Sequence, residues 1–377
     1  MPAALDGILV ADFSRVLAGP LCTMTLGDLG ADVVKVERPG GGDDTRAWGP
    51  PWHDEGATYY LGLNRNKRSV ALDLKDAGDL DLARRLAVRA DVVVESFRPG
   101  TIGTLGLGHA DVAAANPGVV YCSISAFGPG EQAATLPGYD LLLQAMSGLM
   151  SVTGEEDGRP LKVGAALIDM ICGLFAANAI LAALHARGRT GEGQRIHVSL
   201  MDSALAALLN QAAGYLNAGA VPGRLGNRHP SITPYETYRA ADTDLAVACG
   251  NDALFRRLCD AIGRPELAGD ERYATNSARL EHRAALTADL EAAFATAPAA
   301  EWVARLGEAG VPAGPIHDVA QAFAFAEALG LEPVDETDGV RTVRSPMRLA
   351  GTPVAVRRRP PRLGEHDAEI RAWLRDG

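Results

Sequence analysis

Cysteine is scarce in this chain, and its few residues fall in no ligand pattern. Cys22, Cys122, Cys172, Cys249 and Cys259 are odd in number, with no CxxC pair and no Cys/His spacing suited to zinc. Buried, reduced thiols are therefore expected, and no metal site. The eight histidines are scattered, and neither HExxH nor GxSxG occurs, so metalloenzyme and serine-hydrolase readings have no support. The P-loop pattern GxxxxGK[ST] is missing too. Positive charge is in deficit: the formal net charge of -11 argues against a nucleic-acid or anionic-membrane partner, which would need a dominant basic field. The first residues, Met-Pro-Ala-Ala-Leu-Asp, lack a basic stretch followed by an apolar core, so no secretory signal is expected and a cytoplasmic location is. Long hydrophobic runs are also lacking, with one exception. Val163 to Leu184 (VGAALIDMICGLFAANAILAAL) is long enough to span a bilayer and carries one charge, Asp169. Inserting that charge costs about 2.5 to 3.5 kcal/mol near the bilayer centre. With no second such run, a buried central helix is expected, and Asp169 within it needs an explanation.

At 377 residues the chain exceeds what one core usually organises, which points to two domains. The stretch GILVADF (Gly7 to Phe13), a loop with Gly19-Pro20, a helical segment and DVVKVE together read as a βαβ unit. Further strand-like runs at Ser69 to Leu74, Asp91 to Glu95, Val119 to Ser125 and Arg195 to Leu200 alternate with helical stretches. An α/β fold with a parallel sheet covered on both faces follows. Residues 1–200 are expected to form the large domain, completed by about 330–377. Residues 201–234, broken by Gly and Pro, read as a linker. A smaller α+β domain over 235–317 and a return linker with C-terminal segment over 318–377 complete the plan.

The opening βαβ unit invites a dinucleotide reading, since Glu37 ends the second strand where a ribose-binding acid could sit. Its turn, Ser14-Arg15-Val16-Leu17-Ala18-Gly19-Pro20, lacks GxGxxG, so NAD is not expected. A basic cluster is more informative: Arg38, then Arg65-Asn66-Lys67-Arg68, Lys75 and Arg98 flank the strands and together suit a phosphate-binding edge. Solvated surface charge is the alternative. Asp169 likewise admits two readings, a helix N-cap or a desolvated carboxylate poised to attack a carbonyl.

With those residues in view, the chain resembles family III CoA-transferases, the formyl-CoA transferase or CaiB/BaiF family, along nearly its whole length. The matching blocks are FSRVLAGPLCTMTLGDLGADVVKVERPGGGDDTR, LNRNKRSVALDLK, ESFRPG, PGYDLLLQAMSG, the stretch holding Asp169, TGEGQRIHVSLMD, GNRHPSITPY, AGVPAGPI and RPPRLGEHDAEI. The resemblance implies a Rossmann-like large domain, a small domain and an interlocked homodimer. It implies Asp169 as a nucleophile passing through an acyl-aspartyl anhydride and an aspartyl-CoA thioester. Coenzyme A and acyl-CoA are then substrates, with a carboxylate acceptor and no permanently bound cofactor. Leu17, Ala18 and Arg38 would contact CoA, as would Leu72, Asp73, Leu74, Lys75, Ser96, Phe97 and Arg98. Tyr139 would lie near the thiol end, while Trp48 and His229 fall on the substrate side. Thr104 stands where many relatives carry Arg, which removes one expected phosphate contact.

The family also contains 2-methylacyl-CoA racemases, whose GHD motif reads Gly138-Tyr139-Asp140 here. A phenol with pKa near ~10 replaces the base poorly. A non-catalytic CoA-binding protein is the third possibility, and it would have no use for a lone carboxylate at Asp169. The linker lacks the glycine-run loop of oxalate-specific members, which directs attention to dicarboxylates such as succinate or glutarate.

Overall fold

The computed structural model describes residues 2–376. By its contacts the chain divides into two units. One comprises Met1–Met150, Lys162–Val221 and Glu332–Gly377, the other Ser151–Leu161 and Pro222–Leu331. The segment 201–234 is shared: its first part continues the helix Leu200–Ala207 and forms Leu209–Ala218 in the first unit, and the rest belongs to the second. The second unit takes in all of 235–317, together with 151–161 and the helix Val319–Ala328.

In the first unit the β-branched runs form strands β1 (Leu9–Phe13), β2 (Asp32–Glu37), β5 (Lys67–Ala71), β6 (Val92–Glu95), β7 (Val120–Ser125) and β8 (Gln194–Ser199). A two-residue-per-strand hairpin, β3 (Trp52–His53) and β4 (Gly56–Ala57), interrupts them after β2. The six longer strands make one parallel sheet in the order β5-β2-β1-β6-β7-β8, with Val10 in register with Val33 and Val92. Strand order reverses direction at β1, so the loops leaving β1 and β6 diverge and open a crevice at their carboxyl ends. Both faces are covered. Val10, Val33, Val92 and Val120 pack under the helices Ala18–Asp28 and Leu167–Thr190, whereas Ala11, Val34 and Val93 face the helices Ala77–Arg89 and Asp367–Arg375. Two-sided burial is why the central strands β1 and β6 read as largely apolar runs.

The long helix Leu167–Thr190 is the one helix among the described residues long and apolar enough to cross a membrane. It buries a stripe of Ile168, Cys172, Ala176 and Ile180. A Cβ at Gly173 would stand 2.6 Å from the Ala18 carbonyl oxygen, so only glycine permits its approach to the first helix. The opposite face carries Met170, Leu174 and Phe175, each 41–49% exposed. The helix is therefore half-buried rather than buried all round, packing one face on the sheet core and leaving large apolar side chains exposed elsewhere on its surface.

Charge is buried beneath the sheet edge. The Lys67 ammonium lies 3.1 Å from the Asp12 carboxylate and Lys35 lies 2.9 Å from Asp43, with all four side chains shielded from solvent. Burial alone would raise the Asp12 pKa, but Lys67 and Lys35 outweigh it and hold the carboxyl well below the usual range. Arg65 forks onto Asp28, and Arg68 onto Asp32 and Glu369. Three members of the expected phosphate cluster are thus structural. They stand at the amino end of β5, away from the crevice, and are consumed by internal carboxylates. The C-terminal segment returns here: the Asn66 carboxamide donates to Ala355 O and accepts from Arg357 N–H.

The second unit carries an antiparallel sheet of β9 (Tyr235–Arg239), β10 (Asp244–Ala248) and β11 (Ala313–Pro315) in the order β11-β10-β9. Its own core includes Phe255, Leu258, Phe294 and Trp302. A hairpin in the first unit, β12 (Val334–Thr337) and β13 (Val340–Val343), completes the strands.

Candidate functional site

The loop leaving β1 is aimed by the buried charges. Ser14 donates its N–H to Asp12 Oδ1 at 2.9 Å, and Lys35 donates to the Ser14 carbonyl at 3.0 Å. Val16 adopts φ 70°, unfavourable for a β-branched residue, and its N–H faces both Asp43 oxygens at 3.3 Å. A Cβ at Gly19 would collide with Ser14 Oγ at 2.2 Å, so this tight turn requires glycine as well. Across the crevice, Ser96 after β6 accepts the Arg15 N–H at 3.1 Å.

Two cavities follow from this arrangement. The first, of about 270 Å³, is lined by Leu17, Ala18, Ser96, Phe97, Arg98, Tyr139 and Asp169 among others. The second, of about 260 Å³, is lined by Arg38 and by Leu72, Asp73, Leu74 and Lys75. Arg15 and Phe97 line both, so the cavities join in one groove, with Arg38 and Lys75 in one part and Arg98 and Asp169 in the other. Arg38 and Arg15 share Asp44, at 2.6 and 3.2 Å. Such exposed pairs are worth at most about 1 kcal/mol, so an incoming phosphate can take the guanidiniums from Asp44.

The remaining expected residues fall elsewhere. Trp48 lines neither cavity and packs edge-on against Tyr59 with ring centroids 5.4 Å apart. Burial, and then the charges of Asp169, Asp140 and Asp43, raise the Tyr59 pKa. His229 belongs to the second unit, where Nδ1 accepts the Ser231 N–H at 3.1 Å and the ring leans on Tyr235. Thr104 donates to the Thr101 carbonyl within its own turn.

Asp169 sits in the first turn of the long helix, yet it is not the cap. The N–H groups of Ile168 and Asp169 donate to Asp140 Oδ1 at 2.9 and 3.2 Å. Among the described residues the Asp169 carboxyl accepts no hydrogen bond. Burial, and secondarily the Asp140 charge, pushes its pKa up to about 7. A carboxyl that is close to half ionised at neutral pH and poorly solvated can attack a carbonyl or exchange a proton.

A groove with Arg38 and Lys75 in one part and a bare carboxylate in the other suits a CoA thioester. The sequence model described as CoA-transferase family III matches residues 5–367. The chain belongs to that family. The succinate–glutarate CoA-transferase of Agrobacterium fabrum is 43% identical, over 98% of this chain and 95% of its own. The acetyl-CoA:oxalate CoA-transferase of Acetobacter aceti is 42% identical, over 97% and 94%. A crystal structure of a CaiB/BaiF family protein from Brucella suis superposes with a TM-score of 0.90 at 44% identity, covering 99% of this chain and all of that one. The chain is a family III CoA-transferase. Sequence reasoning missed Arg15, which lines both cavities, and Asp140, which accepts the Ile168 and Asp169 N–H groups. Arg15 stands inside the quoted block FSRVLAGP, where attention to polar residues flanking the end of β1 would have found it.

Proposed function

We propose that this enzyme transfers CoA between dicarboxylic acids of the succinate and glutarate class, with Asp169 as the covalent nucleophile. The observation that carries the reading is the Asp169 carboxyl, free of hydrogen bonds among the described residues and facing the groove opposite Arg38 and Lys75. One carboxylate oxygen attacks the thioester carbonyl and the C–S bond breaks. CoA thiolate leaves, and an acyl-aspartyl anhydride remains. The thiolate then attacks the aspartyl carbonyl, expelling the donor carboxylate and leaving an aspartyl-CoA thioester. The acceptor carboxylate repeats the two steps in reverse and regenerates Asp169. Charge balances throughout without an oxidant or metal. The relatives named for glutarate and oxalate support a dicarboxylate acceptor.

Dimerisation fits the outward apolar face of the long helix and the exposed Leu209 and Leu216 on the helix Leu209–Ala218. Five unpaired cysteines suit a cytoplasmic location. Racemisation is the second reading, since an Asp169 pKa near 7 serves proton transfer equally well. It lacks a partner base, because the racemase histidine position holds Tyr139, 59% exposed.

Incubation with succinyl-CoA and a carboxylate panel, read by mass spectrometry, tests the function. Hydroxylamine added after donor alone should convert Asp169 to a hydroxamate. Asp169→Ala should lose transfer by several orders of magnitude, and retention of more than a few per cent would overturn the assignment.

A further inference from the structure

We infer that Asp140 is a positioning residue for Asp169: it occupies the N-terminal N–H groups of the long helix so that the nucleophile's own carboxylate stays unbonded and directed into the groove. The inference rests on Asp169 as nucleophile and deepens that reading.

A helix N-terminus offers unpaired N–H groups and a partial positive charge, and an aspartate in its first turn would ordinarily fold back to use them. Here Leu167 N–H is taken by Ala165 O at 2.8 Å, and Met170 N–H by Ala166 O at 3.1 Å. The two between them go to a single oxygen, Oδ1 of Asp140. Its other oxygen accepts the Gln144 amide at 2.5 Å, one turn further along the helix Asp140–Met146. Gln144 is fully buried, and its carbonyl accepts the Val163 N–H at 2.8 Å. Asp140 and Gln144 therefore clamp the segment that delivers Asp169, from Val163 to the first helical turn. Asp140 also lies in the first turn of its own helix, so two helix N-termini favour its charge.

The effect on Asp169 is electrostatic as well as geometric. Other charged or titratable groups near the Asp169 end of the groove are Arg15, Asp44, Arg98, Tyr59, Tyr139 and Cys172. Beyond burial, the Asp140 charge is the one contribution that raises the Asp169 pKa. A carboxylate denied hydrogen bonds and set beside a like charge is more basic, and more nucleophilic when ionised.

The test compares wild type, Asp140→Asn and Asp140→Ala in two ways. Carbon-13 NMR of protein labelled at aspartate carboxyls follows the Asp169 titration directly, with Asp169→Asn assigning the signal; this needs no turnover and survives a wrong substrate class. Asparagine keeps an oxygen that can accept both N–H bonds but removes the charge, so the Asp169 pKa should fall by about 0.5 to 1 unit; its amide meets the Gln144 amide donor, so the melting temperature falls as well and the titration, not stability, is the readout. The acid limb of the rate profile for hydroxamate formation should move down by the same amount. Asp140→Ala should lower the rate at its pH optimum at least tenfold, because Asp169 can then turn back and cap its own helix. An Asp169 titration unmoved in Asp140→Asn, or a wild-type rate in Asp140→Ala, would overturn the inference.

Discussion

Replacing Asp169 by asparagine should stabilise the fold, and more so as the pH rises. The carboxyl's pKa moves from 3.8 to about 7 on folding, burial being the larger cause and Asp140 the lesser. A protonated Asp169 is compatible with the site, and that compatibility is fully present below about pH 3.8 and lost as the pH rises through about 7. Integrating the two titrations gives a cost to the wild type of about 2 kcal/mol at pH 5 and about 4 kcal/mol at pH 8. Asparagine carries no such cost, so its advantage should widen by about 2 kcal/mol between those pH values; partial contact with water brings the expectation to ~1 to 2 kcal/mol. Paired urea denaturations at pH 5, 6.5 and 8, at one protein concentration, read this as a growing gap in midpoints at constant slope. A gap independent of pH, or a variant less stable than wild type at pH 8, would refute the argument that the site holds its nucleophile against its own ionisation.

Arg38→Ala should raise the donor KM several-fold while leaving kcat close to wild type, because a phosphate contact acts alike in ground and transition states; dephospho-CoA titrations on both proteins check it. Lys67→Met should destabilise by about 3 to 5 kcal/mol in thermal or urea unfolding, because it removes one of the two buried cations that compensate the Asp12 carboxylate. A chirally pure 2-methylacyl-CoA in D2O should show no α-deuterium uptake at turnover rates, and uptake abolished by Tyr139→Phe would favour the racemase instead.

Much of the fold is legible in the sequence because two-sided burial concentrates Val and Ile in short runs bounded by turn residues. DVVKVE is β2 to the residue, and VYCSIS is β7. The strands of the second unit are harder to see. β9 (YETYR) turns a glutamate and a tyrosine inward and so shows no apolar alternation, and β11 (AGP) contains a glycine and a proline that are tolerated at an edge. Strand ends pointed to Arg38, Lys75 and Arg98 and the family resemblance to the rest: Leu17, Ala18, Ser96 to Arg98 and Asp169 share one cavity, and Arg38 and Leu72 to Lys75 line the next. What stayed hidden was pairing across sequence distance. Nothing local says that Asp140 caps a helix beginning near residue 167, because a first-turn aspartate reads as its own cap until a second carboxylate is seen in place.

The basic residues show how a strand's polarity settles a question that composition leaves open. Arg65, Lys67 and Arg68 resemble Arg38, Lys75 and Arg98 in type and in lying beside strands. In a parallel sheet, however, every amino end lies on one edge and every carboxyl end on the other, and the crevice opens only at the latter. Residues following β2, β5 and β6 therefore meet at the groove, and residues at the start of β5 cannot. Those at the amino edge are spent on Asp12, Asp28 and Asp32. Lys67 nonetheless serves the groove from beneath. With Lys35 it keeps Asp12 ionised, Asp12 holds the Ser14 N–H, and Ser14 begins the loop that carries Arg15, Val16 and Leu17 into the site. Neutralising Lys67 should therefore disturb CoA binding through loop geometry rather than through lost phosphate attraction. The two are separable, because an indirect effect leaves the salt dependence of CoA affinity unchanged, whereas loss of a phosphate contact at Arg38 flattens it.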